Sequence, residues 1–416
     1  MQSFIRGCIA TVVLGLLVVG FFLAGFLGAS IFPTPFEFDR ETASAQVEGG
    51  DAVAAPAAEA PGNFEIFDEA MDVLRRDFYG ELPSDEQVPY AAIRGVLGRL
   101  SDPNTIFVEP AAAEREQEQF QGEFGGIGAQ VNANEEGYIV IVAPILDTPA
   151  ERAGLQPEDV ILEVDGTSIQ GMPVDQAVEL IRGPVGTEVT LLIQRPSEEE
   201  SFTVTLTRAT IPDITVDFTM VEETNIGYIG MRFFSARTPM ELENAIAELR
   251  AEGAEKFILD LRHNPGGLLD AAIATSSTFI GDGTIAFKLY NDGTREPLEA
   301  TGNAIAPDEP MVVLIDEGSA SASEILAGAL QSYDRATLVG STSYGKGTVQ
   351  IPFTLSDGSS IHVTVAHWLT PDGTDLSSEG LTPDVPIEAT PEQLQAGEDP
   401  AFNEAVELLQ GEESTS

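Results

Sequence analysis

Lysine is nearly missing from this chain: of 416 residues only Lys256, Lys288 and Lys346 are lysines. Basic residues number 20 against 68 acidic ones, giving a formal charge of −48. A field of that sign repels phosphate backbones and anionic lipid surfaces, which excludes nucleic acid as a partner. The excess does not separate a salt-adapted surface from a lineage bias, and neither identifies a function. Cysteine is rarer still, with Cys8 alone. That excludes an intrachain disulfide and a cysteine-based metal site. Cys8 also precedes most of an apolar run, where a lipoprotein cysteine would follow one, so it reads as an inert thiol. Neither a metal nor a cofactor is expected.

Charge is absent altogether from Cys8 to Phe32. The run is near the ~20 residues that cross a bilayer as a helix, and exceeds the about 7–15 of a signal-peptide core. Arg6 precedes it, while Glu37, Asp39 and Glu41 follow. By the positive-inside rule the rest of the chain lies outside the cytoplasm. Ala43-Ser44-Ala45 resembles a cleavage site but falls well beyond the run. We therefore expect a single-pass membrane anchor over 1–32, in preference to a cleaved signal segment, with the remainder periplasmic or extracellular. A flexible linker fills 33–62, where QVEGGDAVAAPAAEAPG has little to bury.

The folded part reads as an α/β (α+β) multidomain chain. Over 63–113, Phe64, Phe67, Met71, Leu74 and Phe78 recur at helical spacing, as do Ala92, Ile93, Val96, Leu97 and Leu100 before Ser101-Asp102-Pro103 ends the pattern. Both stripes are expected to face a core. Over 114–197 come short strand-like runs, GGIGAQV, YIVIVAPI, DVILEVDG and EVTLLIQR, with one helix at 173–182. Strands and helices then alternate over 198–390, and 391–416 reads as an acidic tail or docking helix.

The 114–197 segment resembles a PDZ domain. Gly125-Gly126-Ile127-Gly128 matches its carboxylate-binding loop, and the AGL run, Glu158-Asp159-Val160-Ile161 and Gly183-Pro184-Val185-Gly186-Thr187 match further on. Glycines let successive amides point at an anionic chain end while the next strand pairs with an extended peptide.

Gly340, Gly345 and Lys346 have the spacing of a phosphate-cradling loop. A P-loop needs Ser or Thr after its lysine and leads into a helix; here Gly347 follows, and Thr348–Phe353 is strand-like. The nucleotide reading fails on both counts. Upstream, the apolar strand Met311–Ile315 runs into Asp316-Glu317-Gly318-Ser319-Ala320-Ser321-Ala322-Ser323-Glu324 and then an apolar helix. A turn of small residues at a helix start exposes a hydroxyl beside free amides, which suits a nucleophile and an oxyanion. The same residues would also make an ordinary N-cap, with Glu324 completing a capping box.

Taken together, DLRHNPGG at 260–267, VLIDEGSASASEILAGALQ and ATLVGSTSYGKGTVQIP resemble the carboxyl-terminal processing proteases. These are serine peptidases with a PDZ domain inserted before the catalytic core. The resemblance runs from about Phe64 to Ile387 and includes AAIRGVLGRLSDPNTIFVEP and HWLTPDGTDLSSEGLTPDVPI. It implies Ser321 as nucleophile, Lys346 as general base and Gln350 as the residue orienting the lysine. It also implies an oxyanion hole from the amides of Ala322 and of a glycine in Asn264–Gly267, of which we select Gly266, with Arg262 supporting that loop. Residues 346 and 350 are four apart on an expected strand and so share a face. The acidic residue that some members carry eleven positions after the nucleophile is here Ser332, with Asp334 two further on.

The resemblance implies an extracytoplasmic endopeptidase that cleaves proteins or peptides near their free C-termini. A homo-oligomer or an adaptor is left open. One competitor is a non-catalytic PDZ peptide-binding scaffold, whose mark would be loss of Ser321, Lys346 or Gln350; all three are present. Another is an ester hydrolase using His263, His362 or His367. A lysine base must be neutral, so burial has to outweigh the pull of this chain's anions on its ammonium form.

Overall fold

A computed structural model describes residues 64–411 except 135, 303 and 378. The expected anchor and most of the linker therefore lie outside the described residues. Among those described, no helix is long and apolar enough to cross a membrane. The chain divides at Leu82 into two units.

The first unit contributes helix Glu65–Asp77, with acidic residues in its first turn and Arg75 and Arg76 in its last, as the helix dipole favours. Its apolar stripe, however, is not a core: no residue of the helix is buried, and Phe64 and Phe78 stand open. The second unit opens with helix Gln87–Leu97, which also buries nothing, and Val96 and Leu100 are exposed. Periodicity selects the helix, but full burial needs a closer partner: Gln87–Leu97 only leans on strand Ile106–Val108, with the Tyr90 and Phe107 rings 5.0 Å apart and Ala92, Ile93 and Leu97 half-buried.

The peptidase sheet carries the main core. Its spatial order is Val216–Met220, Ile226–Met231, Lys256–Asp260, Met311–Ile315, Thr337–Gly340 and Val385–Pro386. The first pair is antiparallel and the others parallel. Lys256–Asp260 and Met311–Ile315 are buried throughout, as strands covered on both faces must be. Helices Thr238–Glu252, Leu269–Phe279 and Ala322–Ser332 supply one cover. The other is helix Pro400–Gly411, whose Ala401, Ala405 and Leu409 pack on Ile226, Ile258, Val312, Leu314 and Val339. Lys256 Nζ donates to the Leu409 carbonyl at 2.6 Å. Of the expected tail or docking helix over 391–416, Pro400–Gly411 is thus docked on the core, because the sheet's second face needs an apolar cover.

The PDZ sheet has the order Ala129–Ala133, Ile139–Pro144, Val160–Val164, Glu188–Gln194, Phe202–Thr207. Its last strand lies beyond the expected boundary at 197: the turn at 196–200 is a hairpin within this domain, since Phe202 pairs with Ile193. A smaller ladder pairs Glu123–Gly126 with Ala209–Pro212. Helix Pro110–Gln121 bridges to the peptidase core; its Phe120 ring stacks on Phe233 at 5.9 Å, and Ala236 N donates to Phe120 O at 2.8 Å.

Candidate active site

Ser321 sits where the buried strand Met311–Ile315 hands over to helix Ala322–Ser332, with φ 56° and ψ −111°. A positive φ in a residue with a side chain is costly and persists only where the surroundings impose it. Those surroundings are polar and buried. Ser319 Oγ donates to Leu261 O at 2.8 Å, and Ser323 Oγ to Asn264 O at 2.9 Å. Asp316 Oδ1 accepts from the amides of His263 and Gly318 at 2.8 and 2.9 Å. The two flanking serines therefore bolt the turn to the 261–264 loop, and Ser321 lines a cleft of about 220 Å³ with Lys346, Thr348, Gln350 and Ala322.

The lysine loop is fixed by a residue that the sequence marked only as a capping-box member. Glu324 is fully buried. Its Oε2 accepts from Ser321 N at 2.7 Å and Lys346 N at 3.0 Å, its Oε1 from Ser343 Oγ at 2.5 Å and Gly345 N at 2.7 Å. One carboxylate thus holds the backbones of both residues, and four converging donors suit an acceptor with four lone-pair sites. Trp368 Nε1 donates to the Lys346 carbonyl at 2.9 Å. Burial pushes the Lys346 amine below the ordinary lysine value, against the opposing pull of Glu116 and Glu324.

The strand after Lys346, Thr348–Thr354, confirms that this is no P-loop. Pairing begins only at Thr348, so Lys346 stands just before the strand. Residues 346, 348, 349, 350 and 352 all line the cleft, and the ladder shifts register between Val349 and Gln350. Gln350 Nε2 donates to the Asn104 carbonyl, which leaves its oxygen as the acceptor a lysine would need. Asn104 belongs to the Ser101–Thr105 motif, and Thr105 Oγ1 accepts from Thr364 N at 3.1 Å. That distant motif is therefore a brace for the catalytic strand.

The oxyanion loop differs from expectation. The Gly266 amide donates to Asn264 Oδ1 at 3.0 Å, and it is Gly267 that lines the cleft. Gly266 has φ +104°, and an added Cβ would stand 2.9 Å from Ser321 Cβ, so only glycine lets this loop approach the nucleophile. The Ala322 amide opens the first helical turn, which provides it no acceptor. Arg262 bonds Asp260 and, at 2.8 Å, Asp399. Burial alone would lower its pKa, but these carboxylates raise it, and the network ties the DLR strand end to the C-terminal helix.

Of the histidines, His263 is exposed and paired with Asp316 at 2.7 Å, and His367 contacts Ser377 at 2.8 Å. His362 is buried and does line the cleft, where it faces Glu116. The sequence offered His362 only as a general base of the histidine alternative, and Glu116 was not singled out at all. Ser332 and Asp334 do not line the cleft. Among the described residues, no group of three or more His, Cys, Asp or Glu side chains is placed to hold a metal ion.

In the PDZ loop, Gly128 has φ +76° and an added Cβ would meet Thr148 at 2.3 Å; Gly125 lies against Gly183 O. The Ile127 and Gly128 carbonyls accept from Ala150 N and Ile145 N, each at 2.8 Å, turning the carbonyl side of the loop inward.

Comparison with known proteins places the chain in a family. Residues 225–387 match the model of peptidase family S41, and 140–195 match a PDZ domain. The chain is 39% identical over 355 residues to a carboxyl-terminal-processing protease of Synechocystis sp., covering 83% of each chain. It is 40% identical over 326 residues to the carboxy-terminal processing protease CtpA of Bacillus subtilis, covering 78% of this chain and 69% of that one. A solved photosystem II D1 C-terminal processing protease aligns at 31% identity over 78% of this chain and 87% of its own, with a TM-score of 0.45.

Proposed function

Because the chain belongs to peptidase family S41, we propose that it is a serine endopeptidase that cleaves extracytoplasmic proteins near their C-termini, tethered to the membrane through residues 1–32. The observation that carries the mechanism is the joint placement of Ser321 and Lys346 in one cleft, both pinned by Glu324. Lys346, its amine lowered by burial, takes the Ser321 proton as Oγ attacks the scissile carbonyl. The same proton then passes to the leaving amine. Gln350 Oε1 orients the lysine. The developing oxyanion is met by the Ala322 amide, with Gly267 as second donor in place of Gly266, whose amide is held by Asn264. The PDZ loop Gly125–Gly128 holds the substrate's terminal carboxylate. Loss of a catalytic residue would have favoured a scaffold, and none is lost.

The test uses full-length protein and peptides that differ only in a free or amidated C-terminus. Ser321→Ala should abolish hydrolysis, while Ser319→Ala and Ser323→Ala leave measurable turnover. Amidation should lower kcat/KM about tenfold without moving the cleaved bond. Near-normal hydrolysis by folded Ser321→Ala would overturn the assignment, and equal processing of both peptides would overturn carboxylate capture.

A further inference from the structure

A second, larger cavity of about 1390 Å³ lies between the bridging helix Pro110–Gln121 and the PDZ helix Val174–Ile181. It reaches Phe124 and Gly183, beside the glycine loop, at one end. Glu116 and Gln119 line both this cavity and the catalytic cleft, so the two adjoin there. A peptide held by its carboxylate at the PDZ loop and cut at Ser321 passes this junction with the residues on the C-terminal side of the scissile bond.

The junction is electrostatically one-sided. Glu114 and Glu118 from the bridging helix and Asp175 and Glu179 from the PDZ helix line the approach, against Arg115 and Arg182. Arg182 lies over the Phe124 ring at 3.7 Å. Abundant carboxylates alone would say little in so acidic a chain. Glu116 differs because of what stands behind it. His362, 7% exposed, stands with Nε2 2.9 Å from Glu116 Oε2, so the carboxylate that lines both cavity and cleft is held in place by a buried imidazole.

We propose that Glu116, backed by His362, is a specificity-determining residue that selects a lysine or arginine side chain on the C-terminal side of the scissile bond. This rests on the reading above that the PDZ loop captures the C-terminus. A substrate cation here pairs with a carboxylate that is partly screened from solvent, and the pairing also removes a negative charge from beside the base. Lys346 shares its surroundings with Glu116 from the bridging helix, Glu324 from the nucleophile helix and His362 from strand Ser360–Leu369. Of these carboxylates, Glu116 is the one a passing peptide can reach.

The experiment compares full-length wild-type, Glu116→Gln, Glu116→Asp and Glu114→Gln protein on free-C-terminus peptides. Each peptide carries lysine or its uncharged isostere norleucine at successive positions after the scissile bond. Wild type should prefer lysine at one position by roughly five- to tenfold in kcat/KM. Glu116→Gln should bring that ratio below about twofold and move the alkaline limb of the rate profile to lower pH, Glu116→Asp should keep part of the preference, and Glu114→Gln should keep all of it. Absence of a preference at every position, an unchanged ratio in Glu116→Gln, or equal loss in Glu114→Gln would each overturn the inference. Binding of the same peptides to Ser321→Ala protein, with and without Glu116→Gln, is followed by fluorescence anisotropy. It reads the cation preference even where no peptide is cut, and so separates failure of this proposal from failure of the protease assignment.

Discussion

The two six-stranded sheets, of the four sheets in the 83–411 region, are built to opposite plans. In the peptidase sheet, Lys256–Asp260 and Met311–Ile315 are buried at every residue; in the PDZ sheet, Glu188–Gln194 alternates from exposed or half-buried to buried. A strand covered on both faces has no freedom of register, so the turn at its carboxyl end is delivered to one place. A half-covered sheet keeps a face and an edge for ligands. We place chemistry on the first and recognition on the second. The difference teaches that the positive φ of Ser321 is held at the end of a strand buried on both faces.

The sharpest way to break this division is Lys346→Arg. Guanidinium keeps the charge but cannot release its proton in the working range, so kcat/KM should fall at least about 10³-fold in a folded enzyme. An active variant would show that positive charge suffices and that no neutral base is needed. Glu324→Gln comes next. An amide has only one acceptor oxygen for the four donors that converge there, and its NH₂ would face N–H groups. Activity should drop about 10²-fold, mainly in kcat, with about 1–3 kcal/mol of stability lost in urea titrations. Unchanged kcat with lowered stability would reduce Glu324 to a structural cap.

A milder probe tests the sheet's cover. Leu409 is buried on the sheet face opposite the nucleophile helix, and Leu409→Ala should cost about 2–4 kcal/mol in urea unfolding. The rate constants of the folded enzyme should be little changed. The smallest effect is ionic. The active form of Lys346 is the neutral amine, so the rate rises with pH along a limb set by its pKa. Burial lowers that pKa and Glu116 and Glu324 raise it. Salt weakens the carboxylates' hold on the ammonium, so raising ionic strength from about 0.05 to about 0.5 M should move the limb to lower pH by roughly 0.3 unit. A shift to higher pH would mean that the carboxylates are not what opposes burial.

The sequence by itself determined the pieces that are local. Small residues at 318–323 between an apolar strand and an apolar helix specify the turn that carries Ser321, and Gly347 with a strand behind it removes the nucleotide reading of Lys346. Lys346 and Gln350 do line one cleft, although Lys346 stands just before the strand. Tertiary structure alone decided what meets what. The stripes of Glu65–Asp77 and Gln87–Leu97 carry the same periodicity as buried helices yet have no fully buried residue, because a period fixes a face and not how closely a partner covers it. The acidic Pro400–Gly411 segment gains its place from a sheet face formed some 60–180 residues earlier in the chain. Glu324 reads as a cap from the chain, since its bonds to Ser343, Gly345 and Lys346 span about twenty residues. Glu116 and His362, 246 residues apart, share a cleft only because helix Pro110–Gln121 docks beside Ser321. Local propensities are set by neighbours along the chain, whereas a catalytic environment is set by neighbours in space, and only folding makes the second set from the first.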